Sequence, residues 1–495
     1  MRKGFLMGLA VALVAVLAAP AVAGTDINGF YRAKGYVTNF DFPSAPTITN
    51  DMTTGGYVEQ RLRMRFSFGE ENVKAIAFFE IDLGSWGDVA GSANSTTPAT
   101  GASRNAGGAL GADRINLETK NVYVWFKVPN TSLDFSVGLQ NQTDSIQGLL
   151  YGYADMAGIF ATGKFEPVSW KLGWAKWYEN NVQNWDDMTL YMAYVNFAPS
   201  KTAKVGIGAY VIQDDTGKTT SVTQLPYQTT FAINPALNGN ISTSPPNNSV
   251  ATNTKLIYTF PIDFAVGVGP GSLSGFALYQ FGTVEFTGAA SSRPDIDISA
   301  FAADLRFDMN LGPGKFFLEG LVLGGGDNSG NDYQAMVTAS DLNASPGGNS
   351  YFARMDYTIL MANIDDMNQN TCLIGCAGAV GNNQSPGNGG RGLWTVGLGY
   401  SMKVQEKTTF KVGGGYLAAV KKLQTDRGDS DTDMGWEVNA NVNYNIMKGL
   451  DFGLYGAWAM LGDFYKGGGP TGTVTSSNND PDDLYTMYMR LNYAF

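Results

Sequence analysis

Arg61, Arg63 and Arg65 stand at every second position, a spacing that puts three guanidinium groups on one side of an extended backbone. Such groups attract and orient anions without breaking bonds themselves. Further basic residues stand at Arg32, Lys34, Lys74 and Arg490. Acidic partners stand at Glu59, Glu80, Asp82, Asp304 and Asp308, with Arg306 between the last two. Catalysis has little to work with. The 495 residues contain no histidine, which excludes Ser-His and Cys-His nucleophilic sets and every His-ligated metal. No convincing nucleophile–base pair replaces them, so no enzyme, cofactor or metal centre is expected. The net charge of −11 argues against nucleic acid as a partner.

Three other groupings are weaker. Cys372 and Cys376 suit a local disulfide in an oxidising compartment. They lack the Cys-x-x-Cys-His spacing of haem attachment, and two thiolates cannot complete a zinc site. Asp327 to Asp332 has part of a calcium loop's oxygen spacing but no closing Glu, and its Asn, Asp and Gly are ordinary turn residues. Trp170, Trp174, Trp177, Tyr178, Trp185 and Tyr191 crowd one region. They read as a membrane-interface girdle in preference to a sugar-stacking slide.

The elements that position these residues are strands. From Tyr485 to Phe495, Tyr485, Met487, Met489, Leu491, Tyr493 and Phe495 share one face; Thr486, Tyr488, Arg490 and Asn492 share the other. The same period of two recurs over 60–68, 299–310 and 436–444. In all, about 18 strands are predicted, with about 16 as the alternative. They fall near 26–39, 55–68, 72–86, 113–128, 132–140, 153–164, 168–179, 186–198 and 201–212. The rest fall near 253–266, 274–285, 296–309, 314–323, 392–404, 407–419, 432–446, 449–459 and 483–495.

Their connections sort into two classes. Tight turns at 69–71, 129–131, 166–167, 199–200, 267–273, 312–313, 405–406 and 447–448 alternate with longer segments, the longest being 324–391. An up-and-down barrel has this property, because every second connection lies on the same rim. The reading is therefore all-β: one transmembrane antiparallel barrel over 24–495, with short periplasmic turns and long extracellular loops. Closure follows from physics, since an unpaired strand edge in hydrocarbon costs several kcal/mol, roughly, per backbone group. Charged residues at 16% and aromatics at 12% suit such a wall.

Closure sets Arg490 beside Arg32 and Lys34. Arg32, Lys34, Arg61, Arg63, Arg65, Lys74 and Arg490 then form a basic pore-lining wall, with Glu59, Glu80 and Asp82 next to it. Asp304 and Asp308 lie roughly across the barrel. Two readings stand: a weakly anion-attracting constriction, or a polar wall whose charges pair and stiffen it. Tyr351 to Met361, within the longest loop, is apolar enough to fold into the mouth and narrow it. Asp426, Asp429, Asp431 and Asp433 could bridge divalent cations at a lipopolysaccharide surface; the Arg427-Gly428-Asp429 tripeptide inside that run is short enough to arise by chance.

The first residues give the address. Arg2 and Lys3 precede an apolar run from Phe5 to Leu17, and Ala21-Val22-Ala23 is a small-residue cleavage pattern. Residues 1–23 are expected to be an export signal cut after Ala23; the run is too short to span a bilayer.

Arg2-Lys3 through Ala23, the alternating strands, the sorted loops and Tyr493-Ala494-Phe495 together resemble a Gram-negative outer-membrane porin. Size and strand count are similar to porins of the substrate-selective and alginate-export type. The resemblance implies passive diffusion of small hydrophilic solutes or ions through a water-filled channel in the cell outer membrane. It also implies contact with outer-membrane lipid and lipopolysaccharide, and recognition of the terminal Phe495 by the barrel-assembly machinery. Trimeric general porins of this kind often have about 16 strands and a constriction loop in third position. Here the third outer connection, 141–152, is short and the seventh is the longest, so neither the trimer nor the third-loop constriction is carried over. A different class of function stays open: a non-conducting barrel acting as an adhesin, phage receptor or surface scaffold, closed by 324–391.

Overall fold

The computed structural model describes residues 24–39, 54–83, 86, 117–217, 253–287, 294–326, 331–339, 341–342, 356–361, 391–422, 424–425, 428–429, 431–465 and 482–495. The export signal, Cys372, Cys376, Asp327, Asp426 and Arg427 lie outside these residues, as does the side chain of Asp82.

Eighteen antiparallel strands close into one barrel. They are β1 (Gly24–Thr38), β2 (Gly55–Glu70), β3 (Val73–Leu83), β4 (Leu117–Lys127), β5 (Leu133–Gln142) and β6 (Ala154–Phe165). Then come β7 (Val168–Tyr178), β8 (Met188–Ser200), β9 (Ala203–Asp214), β10 (Asn253–Val268), β11 (Gly271–Phe286) and β12 (Ile296–Leu311). The last are β13 (Gly314–Leu323), β14 (Leu393–Gln405), β15 (Thr408–Ala419), β16 (Asp433–Met447), β17 (Leu450–Leu461) and β18 (Leu484–Ala494). Each pairs with its neighbours in sequence. β1 closes the ring on β18, from Phe30 opposite Ala494 to Thr38 opposite Thr486. The backbone thus keeps no unpaired edge, as lipid requires.

Alternation decides which face meets what. Val124, Leu172, Val195, Ile207, Leu305, Leu398, Val438 and Met489 are all exposed. Their neighbours in sequence, such as Lys171, Asn196, Asp304 and Asn439, are less exposed and point to the other side of the same strands. The tight turns lie on one rim, where residues such as Gly312 (φ 56°) and Asn130 (φ 61°) supply the left-handed conformation that a short reversal needs.

The inner side also holds chain. Residues 143–153, between β5 and β6, turn inward: Ile146, Leu149, Leu150 and Tyr151 are buried, and Tyr151 meets the rings of Trp177 and Tyr210 edge-on at 5.7 and 5.9 Å. Two pieces of the connection between β13 and β14 do the same. Tyr333, Met336, Val337 and Leu342 are buried in one, Tyr357, Ile359, Leu360 and Met361 in the other. These apolar groups and inner-face residues of β6 through β18 form a continuous core. Of the stretch read as inward-packing, 351–361, residues 351–355 lie outside the described residues; in the remainder Tyr357, Ile359, Leu360 and Met361 are buried. The third outer connection, too short for a third-loop constriction to be carried over from the resemblance, nevertheless lies inside the barrel, where the buried Asp144 carboxylate ties it together.

Candidate functional site

Strand register assembles a charged patch on the inner faces of β18, β1, β2 and β3. Arg490, Lys34 and Glu59 are cross-strand partners in one row. Asn492, Arg32 and Arg61 form the next row, with the backbone of Asp82 paired to Arg61, and Phe30, Arg63 and Glu80 form the one after. Arg65 faces Asn28 and Phe78. Lys74 sits apart, exposed at the rim opposite Gly69. The two-residue period of β2 is what sets its three arginines on a single face.

The charges are engaged. Glu80 is nearly buried and receives Arg61 at 3.3 Å, Arg63, and Lys120 at 3.8 Å. Lys120 also pairs with Asp155 at 2.9 Å. Arg490 pairs with Asp451 at 3.2 Å and donates to Asn443 at 3.2 Å. Arg32 donates to Asn492 at 3.1 Å and lies over the Phe30 ring at 4.9 Å. Lys34 is buried. Its ammonium donates to the Tyr36 hydroxyl at 2.9 Å, which donates to Glu59 at 3.0 Å. The Tyr488 ring covers the same ammonium at 4.7 Å, so a cation–π contact offsets part of its desolvation. Arg65 is exposed and has no ion pair among the described residues.

Across the barrel, Asp304, Arg306 and Asp308 lie on the inner face of β12. Arg306 binds Asp308 and Glu319, each at 2.8 Å, over the face of Phe317. Asp304 is buried two residues away. The aromatic crowd divides. Trp174 and Tyr191 face outward and are exposed, Trp185 is exposed in a connection, and Trp177 turns inward beneath Tyr151.

Sequence reasoning missed the groups that hold the inner segments. Asp144 is buried and accepts four backbone N–H bonds: Ile146 (2.9 Å) and Gly148 (2.7 Å) on Oδ1, Leu150 (2.6 Å) and Tyr151 (2.9 Å) on Oδ2. Burial pushes this carboxyl up to about 6, with the N–H donors pulling the other way. Glu437, on β16, accepts N–H bonds from Thr358, Ile359 and Leu360 at 2.6, 2.9 and 2.8 Å. Gln280 brackets Val337, donating to its carbonyl and accepting from its N–H. Two of the three inner segments meet where Ala339 N–H donates to Leu150 O at 3.0 Å. A fully buried Lys255–Asp214 pair at 2.7 Å joins β9 to β10. Only Glu437 and Asp214 carried a sequence signal, an acidic residue on a strand next to a long connection; Asp144, inside a short connection, and Gln280 carried none. Many such residues have no such role.

Among the described residues no group of three or more His, Cys, Asp and Glu is arranged to hold a metal. A family model described as "Porin subfamily" matches residues 130–488. No curated protein matches. Among solved structures the chain is similar to OccK8 (OprE) of Pseudomonas aeruginosa, with TM-score 0.48, 11% identity, and coverage of 95% of this chain and 98% of that one. A BenF-like porin from Pseudomonas fluorescens Pf-5 gives 0.48, 10%, 95% and 98%. OpdK of Pseudomonas aeruginosa with vanillate gives 0.47, 12%, 95% and 98%.

Proposed function

This chain belongs to the porin subfamily, and we propose that it carries small hydrophilic solutes and ions down their gradients through a water-filled lumen, with a preference for anions. It is an outer-membrane porin, of a family of channels without enzymatic chemistry. The observation that carries the finer reading is the shared inner face of β18, β1 and β2, where Arg490, Arg32, Lys34, Arg61, Arg63 and Arg65 lie together. Their acidic neighbours Glu59, Glu80 and Asp451 are fewer. Across the barrel, Asp304, Asp308 and Glu319 outnumber Arg306. Excess positive charge on one wall and excess negative charge on the other create a transverse field across the water-filled bore, focused by its low-dielectric walls, which sorts ions by sign.

Residues 1–23 are read as the export signal that delivers the chain, and Phe495 as the terminal aromatic read at insertion. The inward-packed segments favour one competing reading, a sealed scaffold for surface contact. Planar-bilayer recording of the purified chain separates the two. Discrete open-channel steps, with a reversal potential displaced toward the chloride equilibrium in a KCl gradient, support the channel. A barrel that inserts and passes no current belongs to the scaffold reading.

A further inference from the structure

A cavity of about 270 Å³ opens on the inner wall of β5–β8, near the rim of tight turns and away from the basic patch. Its lining includes Asp134, Thr162, Lys164, Ser169, Lys171 and Tyr194. Asp134, Thr162, Lys171 and Tyr194 are successive cross-strand partners, one row over four adjacent strands. Lys164 and Ser169 face each other two residues nearer the turn. Asp134 and Lys171 are therefore separated by two strand spacings, about 10 Å.

Three facts fix what this cavity would take. First, its charges balance. Lys164 is paired with Glu166 at 2.7 Å, and Lys171 stands opposite the charge of Asp134. An anion gains little from such a site. Second, the Asp134 Oδ1 atom is buried with no hydrogen-bond partner among the described residues, so this carboxylate at the cavity wall keeps unused acceptor capacity that a small turn of its side chain would present to a ligand's donor. Third, the remaining polar lining is hydroxyl. Tyr194 donates its proton to Asp263 at 2.9 Å, which leaves its oxygen to accept. Thr162 and Ser169 can donate or accept. The Lys171 ammonium lies over the Phe160 ring at 5.4 Å and donates to Gln142. It has donors to spare.

Dispersed donors and acceptors of zero net charge match a molecule that carries many hydroxyls and no charge. The volume lies just below the range of about 300–1,000 Å³ typical of drug-sized sites. We infer that the β5–β8 cavity is a binding station for a neutral polyhydroxylated solute of monosaccharide size, on the wall of the passage. This rests on the reading of the lumen as a solute path, and names a solute class for one part of it.

The test is equilibrium binding to the full barrel in detergent, by isothermal titration calorimetry, with glucose, mannose, galactose, ribose and mannitol as probes and acetate and alanine as controls. Saturable binding of at least one polyol, with neither control competing, is expected. Asp134→Asn and Lys171→Met should each weaken that binding at least tenfold, while heat-modifiable gel migration reports that each variant still folds. Absence of saturable polyol binding overturns the site. So does equal competition by alanine, which would make it a zwitterion site, or unchanged affinity in both folded variants. The calorimetry does not require current to flow, so failure of the station and failure of the channel are read separately.

Discussion

At the scale of single residues, two buried carboxylates do what no charged patch could. Asp144 and Glu437 replace the water that the N–H groups of an irregular inward segment would otherwise keep, and so allow that segment to lie against an apolar wall. Glu437→Gln keeps the shape but turns one acceptor oxygen into a donor. Each orphaned N–H then costs about 1–3 kcal/mol. We expect residues 356–361 to loosen, with raised open-channel noise and a larger mean conductance; an unaltered single-channel record would contradict this anchor. Asp144 adds a pH dependence. Its carboxyl, pushed up to about 6 by burial, would return toward about 3.9 if the segment undocked. The docked form therefore takes up a proton as pH falls through 6. Its docking gains between about pH 6 and 4 and weakens as pH rises through 6. Noise from this segment should fall on going from pH 7.5 to 5, and a rise on acidification would show that the sign is wrong.

At the scale of elements, each strand is a two-sided object whose sides meet different solvents. Val438, at the middle of β16, is 56% exposed on the outer face, while its neighbours Glu437 and Asn439 are buried on the inner one. Val438→Arg should destabilise folding into lipid vesicles by about 2–4 kcal/mol, measured by equilibrium denaturation; a change near zero would mean that this face does not meet acyl chains. β15 shows how an inner face is cut to receive a segment. A methyl group added at Gly415 would lie 2.1 Å from the Tyr357 hydroxyl and 2.4 Å from the Val396 carbonyl. Gly415→Val should therefore undock Tyr357, seen as new proteolytic cleavage near residue 357 in the intact barrel. Protection equal to the parent chain would refute the fit.

At the scale of the whole molecule, closure brings the ends of the chain together, and only then is there a basic wall. Arg490 and Lys34 are neighbours across the β1–β18 seam although they lie at opposite ends of the sequence. Reversing the charge of Arg61, Arg63 and Arg65 together to Glu should carry the reversal potential in a KCl gradient from the chloride side toward the potassium side. A reversal potential unmoved by the triple change would place the ion path elsewhere in the lumen.

The sequence by itself determined the strands, their two faces, the sorting of turns from loops, and so the closed barrel. These depend on local periodicity and on the rule that lipid tolerates no unpaired backbone. The register of the paired rows, the sharing of Glu80 by Arg61, Arg63 and Lys120, and the grip of Asp144 and Glu437 on inward segments were decided only by tertiary structure. Each depends on which residue stands opposite which across a strand, or on where an irregular segment comes to rest. Alternation fixes a side chain's face but leaves its partner to the stagger between strands. The short 143–153 connection shows the limit most clearly. Its short length gave no sign of an inward course, and a buried aspartate ties it into the interior.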